Sequence, residues 1–338
     1  MRSSTLVLVS LALLTACSRG ESLPSFDLSG STMGTRFNIT LIDPPDNLDL
    51  DDLRARINER LDSVENLAST YRSDSQLARL NADLSTEWVL VSAELCEMLE
   101  AAMSVTLASD GAFDITVGPL VNLWGFGPKF VDQAIPTDDE IAAAMRHVGA
   151  DKLRIDCQRP ALRKSTPNVY IDLSGWAKGF AVDEIAEMLD ASLVENYLVE
   201  IGGELRMRGL NAANETYTIA VEKPTKNASM TYVVLRVTDA AIATSGDYRN
   251  FFESNGTRYS HAINPRTGWP VQHALVGVTV IGESTAYADA MATALLVLGP
   301  DDGLALAEKL GLAALFLVQA GDETVERPST EFAVAVDR

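Results

Sequence analysis

From Leu48 to Thr70, apolar residues recur every three or four positions, with Leu53, Ile57, Leu61, Val64 and Leu67 on one face. That spacing predicts an amphipathic helix. Just before it, Thr35 to Ile42 alternates as a half-buried strand does and stops at Pro44-Pro45. A second helix is predicted from Ser92 to Ala108. Thr137-Asp138-Asp139-Glu140 has the form of a capping box, opening a helix that ends near Gly149.

The second half is richer in strands. Candidates are Leu153–Cys157, Val169–Leu173, Leu198–Met207, Tyr217–Val221 and Tyr232–Val237, followed by Val276–Ile281, Ala314–Val318 and Phe332–Val336. Predicted helices at Trp176–Leu189, Thr285–Leu298 and Gly303–Leu310 interrupt them. The result is a mixed α+β chain without internal repeats.

The first residues read as an address. Arg2 precedes a short apolar run, Leu6 to Leu14, well under the roughly 20 residues that a membrane span needs. The run ends in Leu14-Thr15-Ala16-Cys17, which resembles a bacterial lipobox, and on that resemblance Cys17 becomes the lipid-bearing first residue of the mature chain. The competing reading is an ordinary secretory signal with a chance cysteine. Both export the protein. The expected organisation is a lipoprotein signal peptide over residues 1–16, a tether over 17–30 and one domain over 31–338. Later apolar runs such as Ala290 to Leu298 are too short to span a bilayer.

Composition adds exclusions. The net charge of −20 over 338 residues leaves no basic footprint for nucleic acid, so a phosphate-bearing ligand would need a metal or a few placed cations. Cys96 and Cys157 have neither CxxC nor zinc-type spacing. They could pair in an oxidising compartment, but the default expectation is two buried thiols. There is no GxGxxG, no GxxxxGK[ST] and no HExxH, and three histidines do not make a multi-imidazole zinc site. His147 is expected to be exposed on a polar helix, and His273 is ambiguous.

Seven stretches carry more Gly, Asp, Thr and aromatic residues than packing asks for. They are STMGTRF from Ser31, GAFDITVGPLVNLWGFG from Gly111, IDLSGWAKGFAVD from Ile171, EIGGELRMRG from Glu200, ATSGDYRNF from Ala243, RYSHAINPRTGWP from Arg258 and ADAMATAL from Ala288. In this order, and over nearly all of the mature chain, they resemble the ApbE family of flavin transferases. The resemblance implies a thymidylate-synthase-like α+β fold with FAD in a cleft and Mg²⁺ on its pyrophosphate. It also implies transfer of FMN to a threonine in a Ser/Thr-Gly-Ala-Thr motif of membrane redox subunits, of the NADH:quinone reductase or Rnf type. Acceptors of that kind favour the periplasmic side of the inner membrane, although Ser18 is not the aspartate that often marks retention there.

The residues can be read chemically beside that resemblance. Asp289 and Thr293 are four apart on a predicted helix, so both project from one face as hard oxygen donors suited to magnesium. The resemblance makes them metal ligands together with the carbonyls of Ala292 and Gly175. The Ala292 carbonyl would require a local distortion of the helix. Asp172 ends a candidate strand just ahead of a helix N-terminus, a natural anion site, and Lys178 lies one turn in. The resemblance places both at the flavin dinucleotide, with Met33, Tyr71, Ala112, Phe113, Asp114 and Ile263. Helix capping by Asp172, and core packing of Met33 and Phe113, are the competing roles. His261, beside the Asn264-Pro265 turn, is the candidate base because its ordinary pKa near 6.5 suits proton removal at neutral pH. Its alternative is a structural bond to that turn. Two other activities share the same site: FAD hydrolysis to FMN and AMP, and flavin binding by a redox lipoprotein.

Overall fold

The computed structural model describes residues 22–128, 134–223, 231–247 and 250–336. Cys17 lies outside them. The chain opens with a hairpin, β1 (Ser25–Thr32) and β2 (Thr35–Ile42), followed by α1 (Leu50–Ala68), α2 (Gln76–Ala82), β3 (Val89–Leu90), α3 (Ala93–Ala108) and α4 (Gly118–Leu123). Next come α5 (Asp138–Met145), β4 (Leu153–Asp156), β5 (Ala161–Lys164) and α6 (Ala177–Ala191). A strand-rich stretch holds β6 (Asn196–Ile201), β7 (Glu204–Arg208), β8 (Tyr217–Lys223), β9 (Thr231–Val237) and β10 (Ala240–Gly246). The hairpin β11 (Phe251–Ser254) and β12 (Thr257–Ser260) leads to β13 (Leu275–Gly282), α7 (Thr285–Leu298), α8 (Asp302–Leu310), β14 (Ala313–Ala320), β15 (Glu323–Pro328) and α9 (Thr330–Val336).

One eight-stranded sheet, in the order β1-β2-β6-β7-β10-β13-β14-β15, is antiparallel throughout and organises the molecule. Its main face buries Phe37, Ile39, Val199 and Val278 against α1, α3, α6 and α7. The opposite face packs Met207, Ile242 and Leu315 under the β8–β9 hairpin and Phe332 of α9. Because both faces are covered, the central strands are apolar without alternation, as in Ala241, Ile242 and Ala243 of β10. A smaller aromatic cluster, with Trp124, Phe252 and Tyr259, supports the β11–β12 hairpin.

Helix α7 is apolar nearly all round because it is wedged between the sheet and α6. Ser284 caps it, accepting the N–H of Tyr287, and a carboxylate from outside the helix completes the cap. Asp183 of α6 accepts Ser284 Oγ at 2.9 Å and the backbone N–H groups of Thr285 and Ala286 at 2.9 and 3.0 Å. Arg206 holds the same carboxylate from β7 at 2.8 Å. The helix carrying the proposed metal ligands is thus fixed at its positive end by an anion.

Several expectations need correction. The tether does not run to Gly30: β1 begins at Ser25, and as an edge strand it needs to bury only Leu28 and Thr32. Val169–Leu173 is not a strand, because the Asn81 side chain bonds both the N–H and the carbonyl of Ile171 while Asp172 donates to Ile115. Leu198–Met207 is two strands turned at Gly202-Gly203. Phe332–Val336 lies in helix α9, whose start is set by Ser329 Oγ accepting the Phe332 N–H. Helix α5 ends at Met145. His147 is half-buried, bonded to Thr166 Oγ1 at 2.9 Å. Cys96 and Cys157 form a disulfide, since α3 packs on β4 and brings their Cα atoms to 5.7 Å across 61 positions of sequence. No spacing rule reaches that far.

Candidate functional site

Between the β1–β2 turn, the N-terminus of α6 and one side of α7 lies a cavity of about 820 Å³. It gathers every residue expected at the site within the described chain except Ala292.

The β1–β2 turn supplies Met33. A two-residue antiparallel hairpin favours left-handed backbone at both positions, and Met33 (φ 49°) and Gly34 (φ 70°) adopt it. Glu65 of α1 fixes the turn, accepting the Met33 N–H and Thr32 Oγ1, the latter at 2.9 Å. Beyond α3, another left-handed pair, Asp110 and Gly111, leads Ala112, Phe113 and Asp114 onto the wall. Burial raises the Asp114 carboxyl above the usual range, while the hydroxyl and N–H of Thr116 pull the other way. Tyr71 stands at the rim, largely exposed, its hydroxyl donating to the Phe126 carbonyl at 3.2 Å.

Asp172 caps a turn rather than the helix itself: it accepts the N–H and hydroxyl of Ser174 at 2.8 and 2.5 Å. Among the described residues no side chain caps α6, whose first turn meets the cavity at Ala177 and Lys178. Lys178 does not stand free for a phosphate. Its Nζ lies 3.1 Å from Glu204 and 3.3 Å from Asp289. Burial works against its charge, but the two carboxylates more than compensate and raise its pKa.

Asp289 is 3% exposed and accepts on Oδ2 from Lys178 and, at 3.4 Å, from the Gly179 N–H. One turn on, Thr293 Oγ1 lies 3.1 Å from Ser245 Oγ of β10. A Cβ added at Gly175 would stand 3.1 Å from that same Thr293 oxygen, so the loop backbone is pressed against the α7 donors. Ala292 is fully buried and off the cavity wall, and α7 runs unbroken through it, without the distortion its carbonyl would need. Among the described residues no group of three or more His, Cys, Asp or Glu could hold a metal. The oxygen donors gathered there are the Asp289 carboxylate and the adjoining hydroxyls of Thr293 and Ser245, with the Gly175 backbone against them. Such a sparse oxygen set suits Mg²⁺, which keeps several waters and takes its other ligands from phosphates.

His261 and Ile263 enter from the loop after β12, which is pinned by a bridge between Ile263 and Pro270. The His261 ring opens to the cavity but is embedded among protein groups, and that desolvation holds its pKa below the ordinary histidine value. Its Nδ1 is 3.1 Å from the Asn250 carbonyl, which can only accept. Nδ1 therefore carries the proton, and the Nε2 lone pair is left available. His273 belongs elsewhere, its Nε2 donating to the Leu296 carbonyl near the end of α7.

Glu65, Asp183, Glu204 and Asn250 were not anticipated. Asp183, Glu204 and Asn250 do lie inside the IDLSGWAKGFAVD, EIGGELRMRG and ATSGDYRNF stretches, which was their only signal in the sequence; Glu65 had none.

The ApbE family profile matches residues 33–316. The chain is 42% identical over 332 residues to the FAD:protein FMN transferase of Vibrio cholerae serotype O1, spanning 98% of each. It is 38% identical over 309 residues to the FAD:protein FMN transferase of Escherichia coli K12, covering 90% of this chain and 87% of that one. Among solved structures, the flavin transferase ApbE from Vibrio cholerae superposes with a TM-score of 0.87 at 41% identity, over 93% of this chain and 99% of that one. The apo form of Pseudomonas stutzeri flavinyl transferase ApbE gives 0.86 at 36% identity, over 94% and 98%.

Proposed function

The chain belongs to the ApbE family, and on that premise we propose that it moves FMN from FAD onto a threonine hydroxyl of an acceptor protein and releases AMP. The observation that carries this reading is the single cavity shared by Met33, the Ala112-Phe113-Asp114 segment, the α6 N-terminus, Asp289, Thr293 and His261. Its volume of about 820 Å³ suits a large ligand.

Asp289, Thr293 and the Gly175 carbonyl would hold Mg²⁺, which when bound supplies the positive charge that the pyrophosphate needs on a protein of net charge −20. The uncapped first turn of α6 offers N–H groups to the same phosphates. His261 Nε2 takes the proton from the acceptor hydroxyl. The freed oxygen forms a bond to the phosphorus on the FMN side, the bond from that phosphorus to the bridging oxygen breaks, and AMP leaves with that oxygen. Met33 and Phe113 offer a thioether and an aromatic ring to the planar parts of the dinucleotide.

The acceptor class is a membrane redox subunit presenting a Ser/Thr-Gly-Ala-Thr segment. The enzyme would work on the periplasmic face, held there by lipid on Cys17. Two features support this address: the Leu14-Thr15-Ala16-Cys17 run and the Cys96–Cys157 disulfide, a bond suited to an oxidising compartment. The test is mass spectrometry of an acceptor peptide after incubation with FAD, Mg²⁺ and the protein. A gain of one FMN on the threonine is expected. FMN and AMP appearing with the peptide unmodified would instead make the protein a hydrolase.

A further inference from the structure

The EIGGELRMRG stretch holds a carboxylate that the reaction as drawn does not use. Glu204 is 3% exposed, lines the cavity, and binds Lys178 through Oε1 alone; among the described residues its Oε2 has no hydrogen-bond partner. A buried carboxylate oxygen left unpaired is costly, and such atoms in a functional cavity call for a reason. The turn beside it is tight: Gly202 and Gly203 are left-handed (φ 63° and 103°), and a Cβ at Gly202 would stand 2.9 Å from Thr35 Cγ2 and 3.4 Å from Lys178 Cδ.

Lys178 sits between two carboxylates. Its ammonium is 3.3 Å from Asp289 Oδ2, close to where a metal on Asp289 would place its own charge. Two cations on one buried carboxylate repel each other. Glu204, with one oxygen already on the ammonium and one unpaired, gives the ammonium a place to withdraw to.

We propose that Glu204 is a positioning residue that draws the Lys178 ammonium off Asp289 when the metal binds, so that Lys178 and Mg²⁺ compete for Asp289 and Glu204 sets the outcome. This rests on the assignment of Asp289 as a metal ligand. Before metal arrives, Lys178 neutralises Asp289 and keeps a buried carboxylate satisfied. Afterwards it is retained by Glu204 at the edge of the phosphate site.

The test is Mn²⁺ binding to the full protein without FAD, read from the loss of the free-ion electron paramagnetic resonance signal, with a thermal midpoint on each preparation. Lys178→Gln should bind Mn²⁺ about tenfold more tightly than wild type, and Glu204→Gln about tenfold more weakly, in the range that residues behind a ligand typically command. In the double variant the Glu204 change should cost less than about threefold, because the ammonium it controls is gone. An equal loss in both backgrounds would make Glu204 a direct ligand and overturn the proposal. Unchanged or weaker binding by Lys178→Gln would overturn it too, and that variant stands if Glu204→Gln fails to fold. Absence of Mn²⁺ binding by wild type, or equal binding by Asp289→Asn, would instead remove the metal site on which the proposal depends.

Discussion

Gly179 and Thr285 touch backbone to backbone: a Cβ on Gly179 would stand 2.4 Å from the Thr285 carbonyl oxygen. That contact seats the first turn of α6 against the first turn of α7. Gly179→Ala should push the two helices apart and cost at least the roughly 1–3 kcal/mol of an overpacked core. Because the same contact sets the spacing between Lys178 and Asp289, metal affinity should fall along with the thermal midpoint. A variant with normal stability and metal binding would show that the helices separate freely.

Asp289→Ala removes the one carboxylate in the proposed metal set. FMN transfer and metal binding should fall by more than about 10²-fold, beyond what loss of an indirect partner costs. Circular dichroism should remain that of the native fold. Transfer that still depends on magnesium at near-normal rates would place the metal elsewhere.

His261→Asn should lower transfer by about 10² to 10⁴ while leaving FAD affinity nearly unchanged. A general base acts only when deprotonated, and burial holds the His261 pKa below its ordinary value. The acidic limb of kcat/KM should therefore lie below about pH 6.5 in the native enzyme and vanish in the variant. Joint loss of stability and FAD binding would mark the histidine as a support for its loop.

Cys96→Ser with Cys157→Ser opens a loop that spans 61 positions and carries Ala112, Phe113 and Asp114. The chain-entropy account puts the loss near 4 kcal/mol. Denaturant titration should show it, with transfer activity retained at 25 °C because neither sulfur lines the cavity.

How far the sequence announced this structure depends on where the information sits. Strand β2 and helix α7 were legible to the residue, since Pro44-Pro45 stops one and Ser284 caps the other. Strand β10 was not. Ala240, Ala241 and Ala243 carry no strand signal alone and are extended because β7 and β13 flank them. Helix α9 was mistaken for a strand because its apolar spacing lies over a start set by the remote Ser329 network with Leu312 and Ala314. Apart from Tyr71, the residues expected at the cavity came from the seven dense stretches taken together, not through periodicity. Glu204 stayed hidden because its role depends on an ammonium 26 positions away, itself paired with an aspartate 111 positions further on.

If lipid on Cys17 is the anchor proposed above, Cys17→Ser should abolish the lipid-dependent partition of the protein into membranes. Fractionation after a high-salt wash reads this directly. Persistent membrane association would count against lipid on Cys17.

The early start of the fold bears on which acceptors can be served. Leu23 is already tied to the body, its N–H bonded to the Ala212 carbonyl at 2.8 Å, and only residues 18–22 separate it from Cys17. Fully extended, that leash reaches at most about 20 Å. With lipid on Cys17, the enzyme cannot swing on a long arm through the compartment and works within about one domain's breadth of the bilayer. A threonine carried far out on a tall extramembrane domain would lie beyond it, whatever its flanking sequence. Leash length would then act as a selectivity filter, one that lengthening residues 18–22 would relax.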